Sequence, residues 1–321
     1  MKVVFLCQTD HAGSAYQAVK AINFVGRIQV RQITCFKHPW DYDADITLPS
    51  IWRDKSIERC DGYKEACQVL EEADFIHCWN DVYRDYFVES AQGKGRPEFK
   101  GKFPRYNEKH RSCTFTGTWY RRHYIKINQI LKADGIKLVV QTPAFIMPSM
   151  ESVFIPHAIN TDAIIPLAVQ NRNPKTIGCY HHEKTTANED ITQLKEILEE
   201  KYPGWCVMME QTGTNNARLI QLSKCMFFMQ DMDTRMISYG RSALEAMALG
   251  VPTFSAVCSE LRKVMDDIAI IAITPTTLSD VLEKTLHQDY VSLAERARMW
   301  VIKYHGYQAI GEQYTRFFEA L

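Results

Sequence analysis

The residues best suited to chemistry lie between Ser238 and Thr253, where the chain reads S-Y-G-R-S-A-L-E-A-M-A-L-G-V-P-T. Gly240 precedes a predicted helix, Gly250 is suited to the end of that helix, and Pro252 prevents its continuation. The start of a helix presents unpaired backbone N–H groups and the positive end of the helix dipole. This segment therefore predicts a place where an anion such as a phosphate can bind to the backbone.

Two apolar runs flank this segment and predict the elements that position it. Residues 225–229 and 251–257 both fit buried strands of a parallel sheet. The segment then follows the carboxyl end of a strand, which is where open α/β sheets bind ligands. The alternative is purely structural, because small residues such as Ala243, Ala246 and Ala248 also suit tight packing of a helix on a sheet.

Strand-like and helix-like segments alternate along the whole chain, which predicts an α/β fold with parallel sheets. Predicted strands lie near 3–7, 28–36, 75–78, 112–115, 137–141, 176–179, 205–209, 226–229, 253–256 and 268–271. Predicted helices lie near 14–25, 64–72, 82–90, 120–133, 189–201, 216–222, 240–249 and within 292–321. At 321 residues the chain exceeds the usual size of a single core, so we expect two domains in series.

Composition excludes some classes of protein. The net charge is +0, with 38 basic and 38 acidic side chains, so any nucleic acid or membrane surface must be recognised by a local patch. The chain has 10 cysteines and no C-x-x-C pair, which favours buried thiols in a reducing compartment over a zinc site. We also find no convincing Asp/His metal cluster and no apolar run long enough to span a bilayer. These features predict a cytoplasmic protein.

One local segment, from Lys94 to Lys126, carries a formal balance of +8, with ten basic and two acidic side chains. Aromatic residues are interleaved with these charges, a pattern suited to a phosphate backbone with exposed bases. The segment predicts a nucleic-acid acceptor, such as a hydroxylated base in DNA. A solvated surface loop, or a loop that binds an anionic lipid or sugar phosphate, remains open. The candidate acceptor-binding residues are Lys100, Lys102, Arg105, Trp119, Arg121 and Arg122.

With two sheets in series and the motif G-x-S-x-L-E-A-M-A-x-G-V-P late in the second, the chain resembles retaining GT-B glycosyltransferases that use nucleotide-sugar donors. Three more segments fit that order: the glycine-containing loop 10–15, the short strand 73–78 that contains a histidine, and residues 154–162, which resemble the entry to the second domain. The resemblance implies two Rossmann-like domains facing each other across a cleft, 1–165 on the acceptor side and 166–304 on the donor side. It also implies that the helix 305–321 packs back on the first domain.

The resemblance also implies roles for individual residues. Glu245 would accept hydrogen bonds from the donor ribose, and basic groups after Cys179 would bind the donor diphosphate, Lys184 foremost. The implied donor-binding residues are Gly13, Ser14, His181, His182, Lys184, Gly240, Arg241, Ser242, Ala243 and Glu245. The implied catalytic candidates are His77, His11 and Lys184. For both histidines a structural role is the alternative.

The chain departs from the family pattern at two positions. Ile237 stands eight residues before Glu245, where many members have an acidic residue, so Asp231 or Asp233 would have to replace it. Thr116 stands where many members have a histidine before glycine, and a catalytic role does not transfer to it. The donor-sugar contacts are therefore the least defined part of the site.

The resemblance implies a metal-independent, retaining transfer of a sugar from a nucleotide sugar, expected to be a UDP-sugar, with no further cofactor. Alternatives are a glycosyltransferase acting on a carbohydrate or lipid, a sugar-nucleotide epimerase, and an inactive nucleotide-sugar-binding protein. The missing G-x-G-x-x-G run disfavours an NAD enzyme, and the missing G-x-S-x-G elbow disfavours a hydrolase. The sequence does not indicate an oligomeric state.

Overall fold

A computed structural model of the protein describes residues 1–7, 10, 13–34, 42–48, 62–79, 106–115, 117–146, 151–179, 185–209, 215–230, 232 and 239–321. These residues form two compact units, Met1–Ala158 with Tyr307–Leu321, and Ile159–Gly306. The divisions fall at 158/159 and 306/307, whereas the sequence placed them at 165/166 and 304/305. The predicted helix at 82–90 lies outside the described residues.

The first unit is a parallel sheet with helices on its faces. Its elements up to residue 158 are β1 (Lys2–Cys7), α1 (Ser14–Val25), β2 (Gln29–Thr34), β3 (Ile46–Thr47), α2 (Tyr63–Glu72), β4 (Phe75–Trp79), α3 (Tyr106–Lys109), β5 (His110–Phe115), α4 (Gly117–Ala133), β6 (Lys137–Val140) and β7 (Ser152–Phe154). The strand order is β3-β2-β1-β4-β5-β6-β7, and each of these pairings is parallel. The order reverses between β1 and β4, so this is the switch point where such sheets offer a crevice.

The strands of this sheet are apolar because helices cover both of its faces. Val3 to Cys7 are all buried, as expected for a central parallel strand between two helix layers. One face packs on α2 and α4, with Leu70 and Leu131 in its core. The other packs on α1 and on the last helix of the chain.

That last helix, α11 (Tyr307–Glu319), belongs to the first unit although it follows the second in sequence. Its buried stripe includes Ile310, Tyr314 and Phe318, which join the core that α1 covers. Gly311 permits the contact, since a Cβ there would lie 2.1 Å from the backbone oxygen of Ala21. A larger residue at 311 would push the two helices apart.

The second unit repeats the same architecture. Its elements are β8 (Thr176–Cys179), α5 (Thr185–Lys201), β9 (Cys206–Met209), α6 (Asn215–Ser223), β10 (Phe227–Met229), α7 (Arg241–Ala248), β11 (Thr253–Ser255), α8 (Ser259–Val264), β12 (Ile271–Ala272), α9 (Leu278–Thr285) and α10 (Tyr290–His305). The order β12-β11-β10-β8-β9 is parallel throughout. Its switch point lies between β8 and β10. The predicted α/β class with two parallel sheets is confirmed.

Two predicted elements differ from the structure in where they begin. Helix α4 begins at Gly117, three residues before the predicted start, and β12 is a two-residue strand at Ile271 rather than a run from 268. Its pairing is limited to Phe254 and Ser255 of the three-residue strand β11. No helix in the described part of the chain is both long and apolar enough to cross a membrane.

Candidate functional site

Helix α7 begins at the carboxyl edge of the second sheet, beside its switch point. Strand β10 ends at Met229, which pairs with Cys179 at the end of β8. The segment that leads to α7 follows β10, and the segment with His181, His182 and Lys184 follows β8. Those three residues lie outside the described residues. The strand that precedes them, β8, nevertheless pairs directly with β10.

Gly240 is the residue that precedes α7, and it is needed for space rather than for backbone conformation. Its φ of −88° and ψ of 178° are extended values that other residues can adopt. A Cβ at this position would lie 3.1 Å from the Nε2 atom of Gln230. The close approach of the Gln230 side chain therefore explains the glycine at this position.

Gln230, one residue after β10, caps the start of α7. Its Oε1 accepts a hydrogen bond from the backbone N–H of Ala243 at 3.0 Å. Of the backbone amides assigned to the diphosphate, the one at Ala243 thus already has an acceptor within the protein. This corrects the donor-binding role given to Ala243, and it leaves Gly240, Arg241 and Ser242 as the candidate amides of the turn.

Glu245 is buried and is held by two arginines. Its side chain is 2% exposed; Arg218 binds its Oε2 atom, and Nε of Arg241 donates to its Oε1 atom at 2.9 Å. Nη1 of Arg218 also donates to Oγ of Ser242 at 2.9 Å. The assigned residues Arg241, Ser242 and Glu245 are thus brought together around Arg218, which comes from α6.

The other end of α7 is anchored by two further arginines. Gly250, with φ at +71°, follows the helix in the left-handed conformation, and Val251 N–H donates to Ala246. Arg172 donates to the carbonyls of Leu249 and Gly250 at 2.9 and 3.0 Å, and Arg298 donates to that of Ala248. Cations at this end stabilise the helix dipole. Helix α7 is therefore fixed at its last turn.

A buried aromatic cluster holds the chain that enters this turn. Tyr239 is 2% exposed, its hydroxyl lies 3.2 Å from Nε2 of His305, and its ring meets Trp300 edge-on. Burial raises the pKa of the Tyr239 hydroxyl well above its usual range. Tyr239 therefore stays neutral and fixes the position of Gly240.

The glycine turn of the first unit has a different environment. Gly13 has a left-handed backbone, with φ at 67°, just before α1. Asp10 accepts from the N–H groups of Ala15 and Tyr16 at 2.9 and 2.7 Å and is 4% exposed. An internal carboxylate thus occupies the start of α1 and would repel a phosphate. This carboxylate weighs against the donor-binding assignment of Gly13 and Ser14, which stays a prediction.

His77 is a structural histidine. It is 0% exposed in the middle of β4, and its Nδ1 and Nε2 atoms each lie 2.8 Å from a hydroxyl, those of Ser112 and Thr114. Burial, with a smaller effect of His110, lowers the pKa of His77 to about 3. An imidazole has only one bonding site on each nitrogen, and both sites of this neutral ring are used within the core of the first unit, so its catalytic assignment is corrected. The other histidine candidate, His11, lies outside the described residues.

Part of the basic segment also belongs to the core. Nζ of Lys109 is buried and donates to the carbonyls of Leu70 and Glu71 at the end of α2. Phe115 and Tyr120 are buried and stack on each other with centroids 5.3 Å apart. These groups are unavailable to nucleic acid, so the +8 balance and the aromatic pattern overstate the acceptor surface.

The side chains of the remaining acceptor candidates lie outside the described part of the chain. Lys100, Lys102 and Arg105 lie outside the described residues, as do Thr116, Asp231, Asp233 and Ile237. Trp119, Arg121 and Arg122 lie in the first two turns of α4. Their assignment stays a prediction. Within the described ranges, no group of three or more His, Cys, Asp or Glu residues is placed to hold a metal ion.

Sequence reasoning missed two residues of this site, Arg218 and Gln230. A usable signal existed for Arg218: it precedes the buried Leu222 by four residues, so both lie on one face of α6. An arginine on the apolar face of a helix predicts a buried acidic partner. Gln230 carries no comparable signal, because a polar residue after a strand is common in any loop.

No protein-family model matches the chain, and no curated protein sequence matches it. Several solved structures do. An alpha-glucosyltransferase in complex with UDP and a 13-mer DNA containing an HMU base matches with a TM-score of 0.69 and 10% identity over 99% of both chains. HepE from Anabaena in complex with UDP-glucose matches with a TM-score of 0.60 and 12% identity over 100% of both chains.

Sucrose-phosphate synthase from Thermosynechococcus elongatus matches with a TM-score of 0.58 and 13% identity, over 100% of this chain and 99% of the other. These proteins are GT-B glycosyltransferases. At such low identity the likeness shows the fold alone, and it does so over the whole chain. The protein has the GT-B fold, as the sequence resemblance implied.

Proposed function

We propose that the protein is a glycosyltransferase that moves a sugar from a UDP-sugar to a hydroxylated base in DNA. The observation that carries the proposal is the start of α7, where Glu245 is held by Arg218 and Arg241 beside the switch point of the second sheet. The GT-B fold supports it, since the structural neighbours include an alpha-glucosyltransferase in complex with UDP-glucose and DNA containing an abasic site. UDP-glucose is therefore the first donor to test.

The donor binds through two groups of contacts in this proposal. The carboxylate of Glu245 accepts hydrogen bonds from the ribose hydroxyls, because an ionised carboxylate is an acceptor with about four lone-pair positions. The diphosphate lies at the first turn of α7, against the N–H groups of Gly240, Arg241 and Ser242 and the positive end of the helix dipole. Lys184, with His181 and His182, adds positive charge from the segment after β8.

The reaction is then driven by positioning and electrostatics. Sugar transfer leaves negative charge on the departing UDP, and donors already oriented toward that charge stabilise the transition state. The acceptor hydroxyl must be held near the anomeric carbon, and a base within a duplex must first leave the stack. We propose transfer with retention of configuration and without a metal ion, as in the family that the sequence resembles.

The proposal of a DNA acceptor depends on the basic and aromatic residues of the 94–126 segment other than those buried in the core. Trp119, Arg121 and Arg122 at the start of α4, with Lys100, Lys102 and Arg105, provide one aromatic and five cationic side chains suited to a phosphate backbone and a flipped base. The burial of Lys109 and Phe115 weakens this support. A carbohydrate acceptor is the second candidate, because the neighbours also include sucrose-phosphate synthase.

Transfer of radiolabelled glucose from UDP-glucose tests the proposal. The acceptors are a 13-mer duplex with one hydroxymethylated pyrimidine, the same duplex unmodified, and a panel of free sugars and sugar phosphates. We expect label in the modified duplex alone, with an α-linked product by NMR and no loss of activity in EDTA. Label in a free sugar would select the carbohydrate acceptor, and UDP release without label transfer to any acceptor would exclude transfer to these acceptors.

A further inference from the structure

We propose that Arg218 is a positioning residue of the donor site, which holds Glu245 in the orientation that accepts the ribose hydroxyls of the nucleotide sugar. This inference rests on the proposed function and adds a residue that neither the motif nor the family resemblance assigns. Its basis is a contact between two successive helices, α6 and α7.

Arg218 spans two residues on one face of α7. Its guanidinium donates to Oγ of Ser242 at 2.9 Å and binds Oε2 of Glu245, three residues further along the helix. The side chains of Arg218 and Glu245 are 9% and 2% exposed. A planar guanidinium that binds two acceptors at once fixes their relative positions, which a single contact would not do.

Arg241 binds the same carboxylate but has a different role. It pairs with Glu245 at the i, i+4 spacing within α7, a contact that the helix itself creates. Arg218 reaches Glu245 from α6, 27 residues away, so its contact exists only in the folded unit. Arg241 is also the first residue of α7, next to the backbone amides proposed for the diphosphate. We therefore assign the carboxylate's orientation to Arg218.

Fixing Glu245 before the donor arrives has a direct consequence for binding. A glutamate side chain loses rotamer freedom when it orders around a ligand, and that cost is avoided if the protein orders it first. Because each ribose hydroxyl must meet a lone pair of the carboxylate, a rotated carboxylate loses these bonds but leaves the phosphate contacts in place. The signature of Arg218 is therefore preference for ribose over 2′-deoxyribose, rather than affinity for phosphate.

The experiment compares UDP-glucose with 2′-deoxy-UDP-glucose as ligands of the full chain, by calorimetry and by steady-state kinetics. The variants are Arg218→Met, Arg218→Lys and the control Arg172→Lys, a buried arginine of the same unit that binds backbone carbonyls. Arg241 still binds Glu245 in Arg218→Met, so the carboxylate keeps one cationic partner. Arg218→Lys is the fallback should that variant not fold.

We expect the wild type to prefer the ribonucleotide by about tenfold or more, since a site built to bind a hydroxyl rejects the analogue that lacks it. In Arg218→Met the preference falls to within about threefold, and KM for UDP-glucose rises while kcat changes little, as expected for ground-state binding. The preference of Arg218→Lys for the ribonucleotide lies between those of the wild type and Arg218→Met. Arg172→Lys lowers the melting temperature but keeps the wild-type preference.

A double-mutant cycle with Glu245→Gln separates positioning from direct contact with the donor. If Arg218 acts through Glu245, adding Arg218→Met to Glu245→Gln produces no further loss of ribose preference. Equal loss of affinity for both nucleotides in Arg218→Met, or a wild-type preference in that variant, overturns the inference but leaves the proposed function intact. A wild-type protein that binds no UDP-sugar overturns both.

Discussion

The two units each place a glycine turn at the switch point of a parallel sheet, and the two turns differ in charge. In the first unit Asp10 accepts from the N–H groups of Ala15 and Tyr16 at the start of α1. In the second, the start of α7 carries no acidic residue in its first turn, and a neutral glutamine caps it. The same topology therefore produces one turn closed by an anion and one suited to an anion.

In our proposal this difference in charge assigns the donor to the second turn, which topology alone does not do. A helix N-terminus attracts phosphate through unpaired N–H groups and the helix dipole, and an internal carboxylate removes both advantages. Around α7 the nearest buried charges include the guanidinium groups of Arg218 and Arg241, with the carboxylate of Glu245 between them. The two glycines also differ in backbone conformation, left-handed at Gly13 and extended at Gly240, but the charge next to each turn is the difference that bears on anion binding.

The largest effect should come from Glu245→Ala. It removes the acceptor for ribose and leaves two buried guanidinium groups without their common partner, which costs about 3–5 kcal/mol when a buried pair is broken. We expect UDP-glucose affinity to fall by about 100-fold or more, with a lower melting temperature. Calorimetry and thermal unfolding measure these, with the exposed Glu295→Gln as control. Wild-type affinity in Glu245→Ala would end the assignment of the second turn as the donor site.

Lowering the pH should reduce the stability of the protein through two buried histidines of the first unit, His77 and His110. His77 is held neutral with a pKa of about 3, below its unfolded value of about 6.5, so the unfolded state binds more protons between these values. The stability that His77 contributes is complete above about pH 6.5 and is lost as pH falls toward 3, by up to about 1.4 kcal/mol per pH unit. Burial lowers the pKa of His110 to about 4, so the stability that His110 contributes is also lost as pH falls.

Urea unfolding at several pH values measures this slope. His77→Asn should flatten the slope between about pH 6 and 4, whereas His287→Asn, at an exposed position, should not. An unchanged slope in His77→Asn would mean that His77 is not a buried neutral group, and its catalytic assignment would then return.

Asp10→Asn tests the first turn directly. The substitution removes the charge at the start of α1 and leaves one acceptor oxygen where there were two, and loss of one hydrogen bond to a charged group costs about 1.5–3 kcal/mol. We expect a lower free energy of unfolding but UDP-glucose affinity within about twofold of the wild type, because the first turn does not bind the donor. Asp74→Asn, which removes the charge of a carboxylate that accepts the N–H of Lys2 at the exposed start of β1, is the matched control. A large change in affinity in Asp10→Asn would place the donor diphosphate at Gly13 after all.

The smallest effect should come from Gln230→Ala. It removes the acceptor of the Ala243 N–H and costs about 1 kcal/mol of stability, a typical value for one hydrogen bond. Donor affinity should change by less than about threefold, since Gln230 caps the helix and does not bind the donor in our proposal. Thermal unfolding and calorimetry on the same samples decide this. A tenfold loss of affinity without a loss of stability would instead make Gln230 a donor ligand.

Local patterns predicted the elements well because the signals lie within them. Gly250 and Pro252 end α7 as the sequence indicated, and the apolar run around Met229 is a buried strand. The interpretation of charged and aromatic residues was less successful. Lys109 and Tyr120 look like an acceptor surface in sequence, yet tertiary contacts bury both. Whether such a side chain faces solvent depends on residues far from it along the chain.

Hydrophobic periodicity and the positions of Gly and Pro predict the alternation of strands and helices, the two sheets and the turn at Gly240. The charges around each turn, in contrast, follow from tertiary contacts. The partners of Glu245 at Arg218 and of Ala243 at Gln230 are 27 and 13 residues away, brought into contact by the packing of α6 and the end of β10 against α7. Charge acts through space, and chain folding sets those distances.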